Sequence, residues 1–321
     1  MTTARAHPNI ALIKYWGNHD ESLRLPANGS ISMTLDTLSV ECRVEFRPEL
    51  GQDNVLINGR AADLTARERT SRHLDLIRGR AAISSRADVS STANFPIGAG
   101  LASSAAAFSA LTLAAATAAG LALTPTELSR LARRGSGSAC RSIFGGFVEW
   151  PSQGGDAQSF ARQLAGPDHW RLLDLIAIVG EQHKSTGSTS GHALAATSPL
   201  QAARVADTPR RLDLCRSAVL QRDFPALAAI VEQDSNLMHA VMLTSTPALQ
   251  YWLPTTLDLM GEIPRWRAEG LAVCFTVDAG PNVHCLCLPE AAPEAQRRLS
   301  AIPGVQRVLA AGPGPAAALI D

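Results

Sequence analysis

Between Phe95 and Thr126 the chain carries not one charged residue. A stretch of that length could cross a bilayer. Its makeup argues otherwise: it is rich in Ala, Ser and Gly rather than Leu, opens on a glycine-containing loop and has no flanking basic cluster. In a soluble protein, a helix that is apolar on every side has to be surrounded by other elements. The segment therefore predicts a buried helix and a core large enough to enclose it. A chain of 321 residues with 46% hydrophobic and 18% charged content can build that core, in roughly two domains.

The 29 Lys and Arg residues balance 29 Asp and Glu, so no global field favours nucleic acid, an anionic membrane or a polycationic partner. Any anionic ligand has to be held by local clusters. The six cysteines lack a CxxC pair or a zinc-type Cys/His spacing and read as free thiols of a reducing compartment. Cys285 and Cys287 fall on one face of an apolar strand, as a core pair. The N-terminus, MTTARAHPNI, lacks the apolar run of a signal peptide, so a cytoplasmic location is expected.

Alternation of Val40, Cys42, Val44 and Phe46 predicts a strand over Ser39–Arg47, and Asn58-Gly59 the turn of a hairpin with it. A helix is expected at about Ala66–Arg78, a strand at Ala87–Asn94 and then the charge-free helix. Thr124-Pro125-Thr126-Glu127 is an N-cap with Pro at the first helical position. Gly135–Gly146 reads as a second small-residue loop. The strand Leu172–Gly180 opens a second half. It holds helical stretches at Pro199–Leu220, Phe224–Leu243 and Pro247–Ala268, strands at Ala272–Val277 and His284–Leu288, a helix at Glu294–Ala301 and a last strand at Val305–Leu309. This order indicates an α+β protein with helices against mixed or antiparallel sheets, without nucleotide-type βαβ alternation.

Four constellations carry chemistry. Pro96-Ile97-Gly98-Ala99-Gly100-Leu101-Ala102-Ser103-Ser104 lies between a strand and the long helix, where small residues and the helix N-terminus suit a polyphosphate. It is neither a Walker A loop nor a dinucleotide fingerprint, and a plain capping turn is the other reading. RGSGSACR, Arg134–Arg141, sets Ser136 and Ser138 beside two guanidinium groups, a match for carboxylate or phosphate. In FTVDAGPNVH, Phe275–His284, Asp278 leaves an apolar strand for a turn, as a general base or as a turn cap. In HPNIALIKYWGN, His7–Asn18, the run Ile10–Ile13 can deliver Lys14 and Tyr15 to a pocket, while His7 and Trp16 read as structural.

With LPANGSIS (Leu25–Ser32), NFPIGAGLASSAA (Asn94–Ala106), GGFVEW, HKSTGST (His183–Thr189) and DSNLMH (Asp234–His239), these segments resemble, in order and over almost the whole chain, the diphosphomevalonate decarboxylase family. The resemblance implies a two-domain α+β GHMP-kinase fold. An S5-like ATP-binding domain would span residues 1–170, a ferredoxin-like domain 171–321, and the active site would lie in the cleft between them. The implied reaction phosphorylates the tertiary 3-hydroxyl of a 5-phosphorylated mevalonate, expels that phosphate and releases carbon dioxide, within isoprenoid biosynthesis. Matched residue by residue, Asp278 resembles the group that deprotonates or orients the 3-hydroxyl and Arg141 the holder of the C1 carboxylate, and Lys14 is a further catalytic candidate. Ser136 and Ser138 match substrate-binding serines, and Tyr15 and Ser188 lie near the 5-phosphoryl group. Gly98, Gly100, Ala102, Ser103 and Ser104 match the ATP-phosphate region, Ser104 also as a Mg²⁺ contact. The partners implied are small molecules, with no nucleic acid and no membrane; a homodimer is common in the family.

Three positions depart from the diphosphate-using pattern. Asn18 stands where Lys is usual, His192 where Met is common, and Leu74 aligns with an Arg on the early helix, with Arg72 or Arg78 as its replacement if the register shifts. Each lost charge-assisted contact is worth about 1.5–3 kcal/mol, which leans the expectation toward mevalonate 5-phosphate and isopentenyl phosphate, with the diphosphate as the alternative. A GHMP kinase that stops at phosphorylation would not be expected to show both RGSGSACR and DAGPN. A non-catalytic binding protein would not need Asp278, Arg141 and the serine loop together.

Overall fold

The computed structural model describes residues 1–96, 102–180 and 187–320. The charge-free segment forms α2 (Ser103–Ala118) after α1 (Leu64–Ala81), and ten of its residues are buried, among them Ala105, Ala106, Ala110 and Ala114–Ala116. Alanine lets a helix axis come close to a sheet. Here α2 lies against a six-stranded sheet through Ala4, Cys42, Val44 and Val89. Its buried hydroxyls bond inside the helix, Ser109 to the Ala105 carbonyl and Thr112 to that of Phe108, so they leave no unmet donor in the core. No described helix is both long and apolar enough to cross a membrane.

The six-stranded sheet runs Ala318–Ile320, Thr2–Ala6, Val40–Arg47, Arg86–Ala93, Asn54–Ile57, Arg60–Ala61. Two expectations change here. Asn58-Gly59 does turn a hairpin, but it joins Asn54–Ile57 to Arg60–Ala61; Val40–Arg47 pairs with Arg86–Ala93, which separates it from Asn54–Ile57. The proposed division at 170/171 is also not clean at the chain's end, because Ala318–Ile320 returns to pair with Thr2–Ala6 of the first half.

A second, antiparallel sheet orders Arg162–Ala165, Phe147–Trp150, Ser30–Thr34 and Asn9–Ile13. Its two inner strands and Asn9–Ile13 are buried throughout. A third, also antiparallel, orders Val273–Val277, Val283–Cys287, Leu173–Ile178 and Arg307–Ala311. After α3 (Pro125–Gly135), capped by reciprocal Thr124 and Glu127 bonds, the expected loop winds into a 3₁₀ turn over Gly137–Ile143. Following α4 (Ser188–Leu194), the single helix expected at 199–220 breaks at Asp207, before Pro209, into α5 (Gln201–Ala206) and α6 (Thr208–Gln221). Then come α7 (Phe224–Leu243), α8 (Pro254–Ala268), which starts seven residues later than expected, and α9 (Ala292–Ala301).

One apolar core joins the halves: Ile10, Ile31 and Met33 pack with Leu227 and Val231 of α7 and with Ile176 and Leu286 of the third sheet. Burying this surface fixes the two halves against each other and so fixes what faces the space between them. All six cysteines are buried and unpaired, and Cys285 and Cys287 lie together in the core under α8 and α9.

Candidate active site

A cavity of about 700 Å³ opens between the halves. Strand Asn9–Ile13 carries Lys14 to one wall, and strand Val273–Val277 carries Asp278 to meet it. Lys14 Nζ donates to Asp278 Oδ1 at 2.5 Å. Lys14 is almost fully buried, whereas Asp278 keeps about a quarter of its side chain accessible, 1% against 24%. The carboxylate is therefore the more accessible member of the pair.

Helix α7 aligns the two. Asp234 Oδ2 accepts the Lys14 backbone N–H at 2.6 Å. The next residue, Ser235, accepts the Val277 N–H with its Oγ at 3.0 Å, and one turn further His239 bonds the Val277 carbonyl at 3.2 Å. DSNLMH is thus a jig whose polar groups hold the residues on either side of the ion pair. Asp234 is itself held by Arg211 at 2.8 Å, both fully buried. From the other side Asn28 and Arg204 each donate to the Lys14 carbonyl at 2.8 Å.

Arg141, from the 3₁₀ turn, is buried. Its Nε donates to Ser32 Oγ at 2.9 Å, Nη1 to Ser30 Oγ at 2.6 Å and Nη2 to Asn9 Oδ1 at 3.0 Å. A guanidinium has five N–H donors, and among the described residues one hydrogen on each terminal nitrogen meets no acceptor, on a side chain that lines the cavity. Burial pulls its pKa below the ordinary value and the nearby Asp278 charge opposes that, which places the two groups within electrostatic reach. Asn9, Ser30 and Ser32 were not singled out from the sequence. The i, i+2 spacing of the two serines on a strand was the available signal.

Tyr15 and Ser138 line the cavity, and so do Ala102, Ser103 and Ser104 at the start of α2. Ala102 adopts φ 48°, ψ 31°, the left-handed bend that turns the chain into the helix, and the first turn of α2 holds no acidic residue to neutralise its dipole. Ser136 is buried just behind that wall, its Oγ 3.1 Å from Ser104 Oγ. Gly137 permits the turn to run beneath Tyr15, since a Cβ there would lie 2.6 Å from the ring. Gly98 and Gly100 fall outside the described residues; Ser188 opens α4, and its side chain is likewise outside the description.

Leu74 does not belong to this site. It is fully buried under the first sheet, on the α1 face formed by Thr70, His73, Leu74 and Ile77. Nor do the alternatives reach it: Arg78 pairs with Asp53 and Asp75, and Arg72 bonds back to the Glu68 carbonyl. The α1 cation on the cavity wall is Arg69, which the sequence reading passed over. It lies 4.5 Å over the Phe108 ring and donates to the Gly135 carbonyl at 2.9 Å; burial first, then Arg24 and Arg72, lower its pKa to about 10. Asn18 accepts a hydrogen bond from the Tyr15 hydroxyl and donates to Glu21 at 2.9 Å.

For ATP, the residues present fit: the N-terminus of α2 with Ser103 and Ser104 suits the phosphates, and the adjoining wall of Val40, Val55, Ile57 and Leu111 suits a purine. No group of three or more His, Cys, Asp or Glu residues that could hold a metal occurs among the described residues, and Ser104 and Asp278 are oxygen-bearing side chains on the cavity wall of the kind Mg²⁺ takes.

Two packed α+β halves with a cleft between them, one wall carrying the N-terminus of α2, define the GHMP-kinase class of fold. Residues 6–161 match the model of the diphosphomevalonate decarboxylase-like N-terminal domain, and 174–307 that of the mevalonate 5-diphosphate decarboxylase C-terminal domain. The chain is 37% identical to human diphosphomevalonate decarboxylase, over 91% of this chain and 78% of that protein, and 39% identical to the Candida albicans enzyme, over 85% and 80%. It superposes on mevalonate diphosphate decarboxylase from Staphylococcus aureus with a TM-score of 0.94 at 35% identity, covering 100% of this chain and 98% of that one. The structure described as MDDEF in complex with MVAPP, AMPPCP and magnesium superposes at 0.93 with 37% identity and the same coverage. This chain belongs to the mevalonate diphosphate decarboxylase family.

Proposed function

We propose that the protein catalyses the ATP-dependent decarboxylation of mevalonate 5-diphosphate to isopentenyl diphosphate, in isoprenoid biosynthesis. The observation that carries the reading is the convergence, on one cavity, of a partly accessible Asp278 carboxylate backed by buried Lys14 with an Arg141 fork that, among the described residues, keeps two donors unmatched. A tertiary alcohol is a poor nucleophile and needs such a positioned carboxylate. The relatives' named activity supports the diphosphate as the substrate. The earlier lean toward the monophosphate loses half its basis, since Leu74 faces the core and Arg69 is the α1 cation at the cavity.

In this mechanism Asp278 orients the 3-hydroxyl and receives its proton, with the Lys14 ammonium holding the carboxylate in place. Arg141 aligns the C1 carboxylate in the plane of its fork. ATP supplies the phosphoryl group that converts the hydroxyl into a leaving group. As that group departs with the C3–O electron pair, the C1–C2 bonding pair forms the new C2–C3 double bond and carbon dioxide is lost. The proton taken up by Asp278 leaves with the departing phosphate, and the carboxylate so restored stabilises positive charge that develops at C3. Ser103 and the α2 N-terminus would hold phosphate oxygens, and Ser104, within hydrogen-bond distance of Ser136, would offer an oxygen to Mg²⁺.

A second reading, the 5-monophosphate, retains one observation: Asn18 offers no charge and is tied to Tyr15 and Glu21. Side-by-side turnover with both substrates, following ADP and carbon dioxide, tests all readings. Higher kcat/KM for the diphosphate is expected. A higher value for the monophosphate installs the second reading, ADP without carbon dioxide makes the protein a kinase, and neither product refutes an enzyme of this class. In the Asn18→Lys variant, preference should move further toward the diphosphate, with a gain that salt weakens.

A further inference from the structure

His192 lies on the cavity wall with its two ring nitrogens in different surroundings. Nδ1 accepts the Gly17 backbone N–H at 2.9 Å. A nitrogen that accepts carries no proton, so the neutral ring bears its hydrogen on Nε2. Among the described residues, no atom accepts a hydrogen bond from Nε2.

The ring is held firmly. It stacks on Tyr15 with centroids 4.2 Å apart and planes 28° apart, and it contacts Trp16 at 4.5 Å and 36°. Gly191 lets α4 come this close, because a Cβ there would meet the Trp16 ring at 2.6 Å. Burial, reinforced by the charges of Arg24, Arg204 and Arg141, keeps the imidazole neutral, with a pKa near 3. A fixed ring in one tautomer, with a single donor still to be matched on the wall of a ligand cavity, is a recognition element.

Building on the functional reading above, we propose that His192 recognises the 5-phosphoryl end of the substrate by donating its Nε2 hydrogen to a phosphoryl oxygen. Arg141 and Asp278 account for the carboxylate and the 3-hydroxyl, which leaves the phosphoryl oxygens as the substrate's remaining strong acceptors. His192 packs against the Tyr15–Gly17 segment, beside Asn18, whose side chain carries no charge. A neutral donor there adds direction without adding charge, while Arg24 and Arg69 supply the field.

The test is calorimetric binding of mevalonate 5-diphosphate, mevalonate 5-phosphate and unphosphorylated mevalonate to the whole protein and to its His192→Met and His192→Gln variants, with AMPPCP affinity and thermal melting as checks of the fold. His192→Met should weaken both phosphorylated ligands about ten- to a hundredfold and leave mevalonate and AMPPCP unchanged. His192→Gln, which keeps an N–H donor, should recover part of the loss. In ¹⁵N spectra the ring should show an unprotonated Nδ1 and a protonated Nε2 from pH 5 to 8, and the Nε2–H signal should move on adding the diphosphate. Unchanged affinity for the phosphorylated ligands in His192→Met, or an equal loss for mevalonate, would overturn the assignment and reduce His192 to packing. If the unmodified protein binds neither phosphorylated mevalonate, the functional reading itself falls, an outcome distinct from the first.

Discussion

Asp234→Asn separates positioning from chemistry, because Asp234 is fully buried and does not line the cavity. Its carboxylate takes two donors, the Lys14 N–H at 2.6 Å and Arg211 Nε at 2.8 Å. An asparagine has one acceptor oxygen and an NH₂ group, so one of those donors must face another donor. Leaving a buried donor unmet costs about 1–3 kcal/mol, and stripping the partner from a buried charge costs about 3–5 kcal/mol. Arg211 keeps its 2.7 Å contact with Asp207 and donates to Arg204 O and Thr208, which holds the cost near the lower range. The expected loss is about 3 kcal/mol, against the 5–15 kcal/mol typical of a folded domain, so the variant remains folded. Urea denaturation measures it. Turnover should fall at least about tenfold, since a displacement near 1 Å at a reacting group can cost about a hundredfold, while AMPPCP affinity stays within about twofold. Full turnover in a destabilised variant would refute the positioning argument and leave α7 as a scaffold only. A change in stability under about 0.5 kcal/mol would refute the energetic one.

Asp278→Asn should abolish nearly all carbon dioxide release while nucleotide still binds, because the near-isosteric change deletes only charge and basicity; substantial remaining turnover would return Asp278 to the role of a turn cap. Arg141→Lys should lower turnover sharply in a folded protein, since a single ammonium cannot reach Asn9, Ser30, Ser32 and a carboxylate together; normal kinetics would place the carboxylate elsewhere. Acid should destabilise the fold below about pH 6.5. His73 and His239 are buried, which depresses their pKa values to about 3 and about 4, so below 6.5 the unfolded chain binds protons that the folded one refuses. Each contributes a loss of about 2 kcal/mol by pH 5, measurable as a falling denaturation midpoint, and His73→Gln should flatten that fall; a midpoint independent of pH from 7.5 to 5 would contradict it.

Local rules determined much of this protein in advance. Freedom from charge marked α2 as interior, because an all-apolar helix has no face for water. Thr124, Pro125 and Glu127 started α3, and alternation placed the strand at Val40–Arg47 and both Cys285 and Cys287 on one face. Even Leu74 was legible: Thr70, His73, Leu74 and Ile77 follow the helical i, i+3, i+4, i+7 spacing of a buried face, so periodicity held the answer that the aligned register missed. Packing alone decided the rest. Strand Arg86–Ala93 inserts between Val40–Arg47 and Asn54–Ile57, and Ala318–Ile320 closes the sheet against Thr2–Ala6. The Arg141 fork is set by Asn9, Ser30 and Ser32, more than a hundred positions away, and Lys14 meets Asp278 across 264 positions. A helix or strand is encoded by neighbours three or two residues apart, whereas such long-range pairs exist only once the shared core of Ile10, Met33, Val231 and Leu286 has drawn the two halves together.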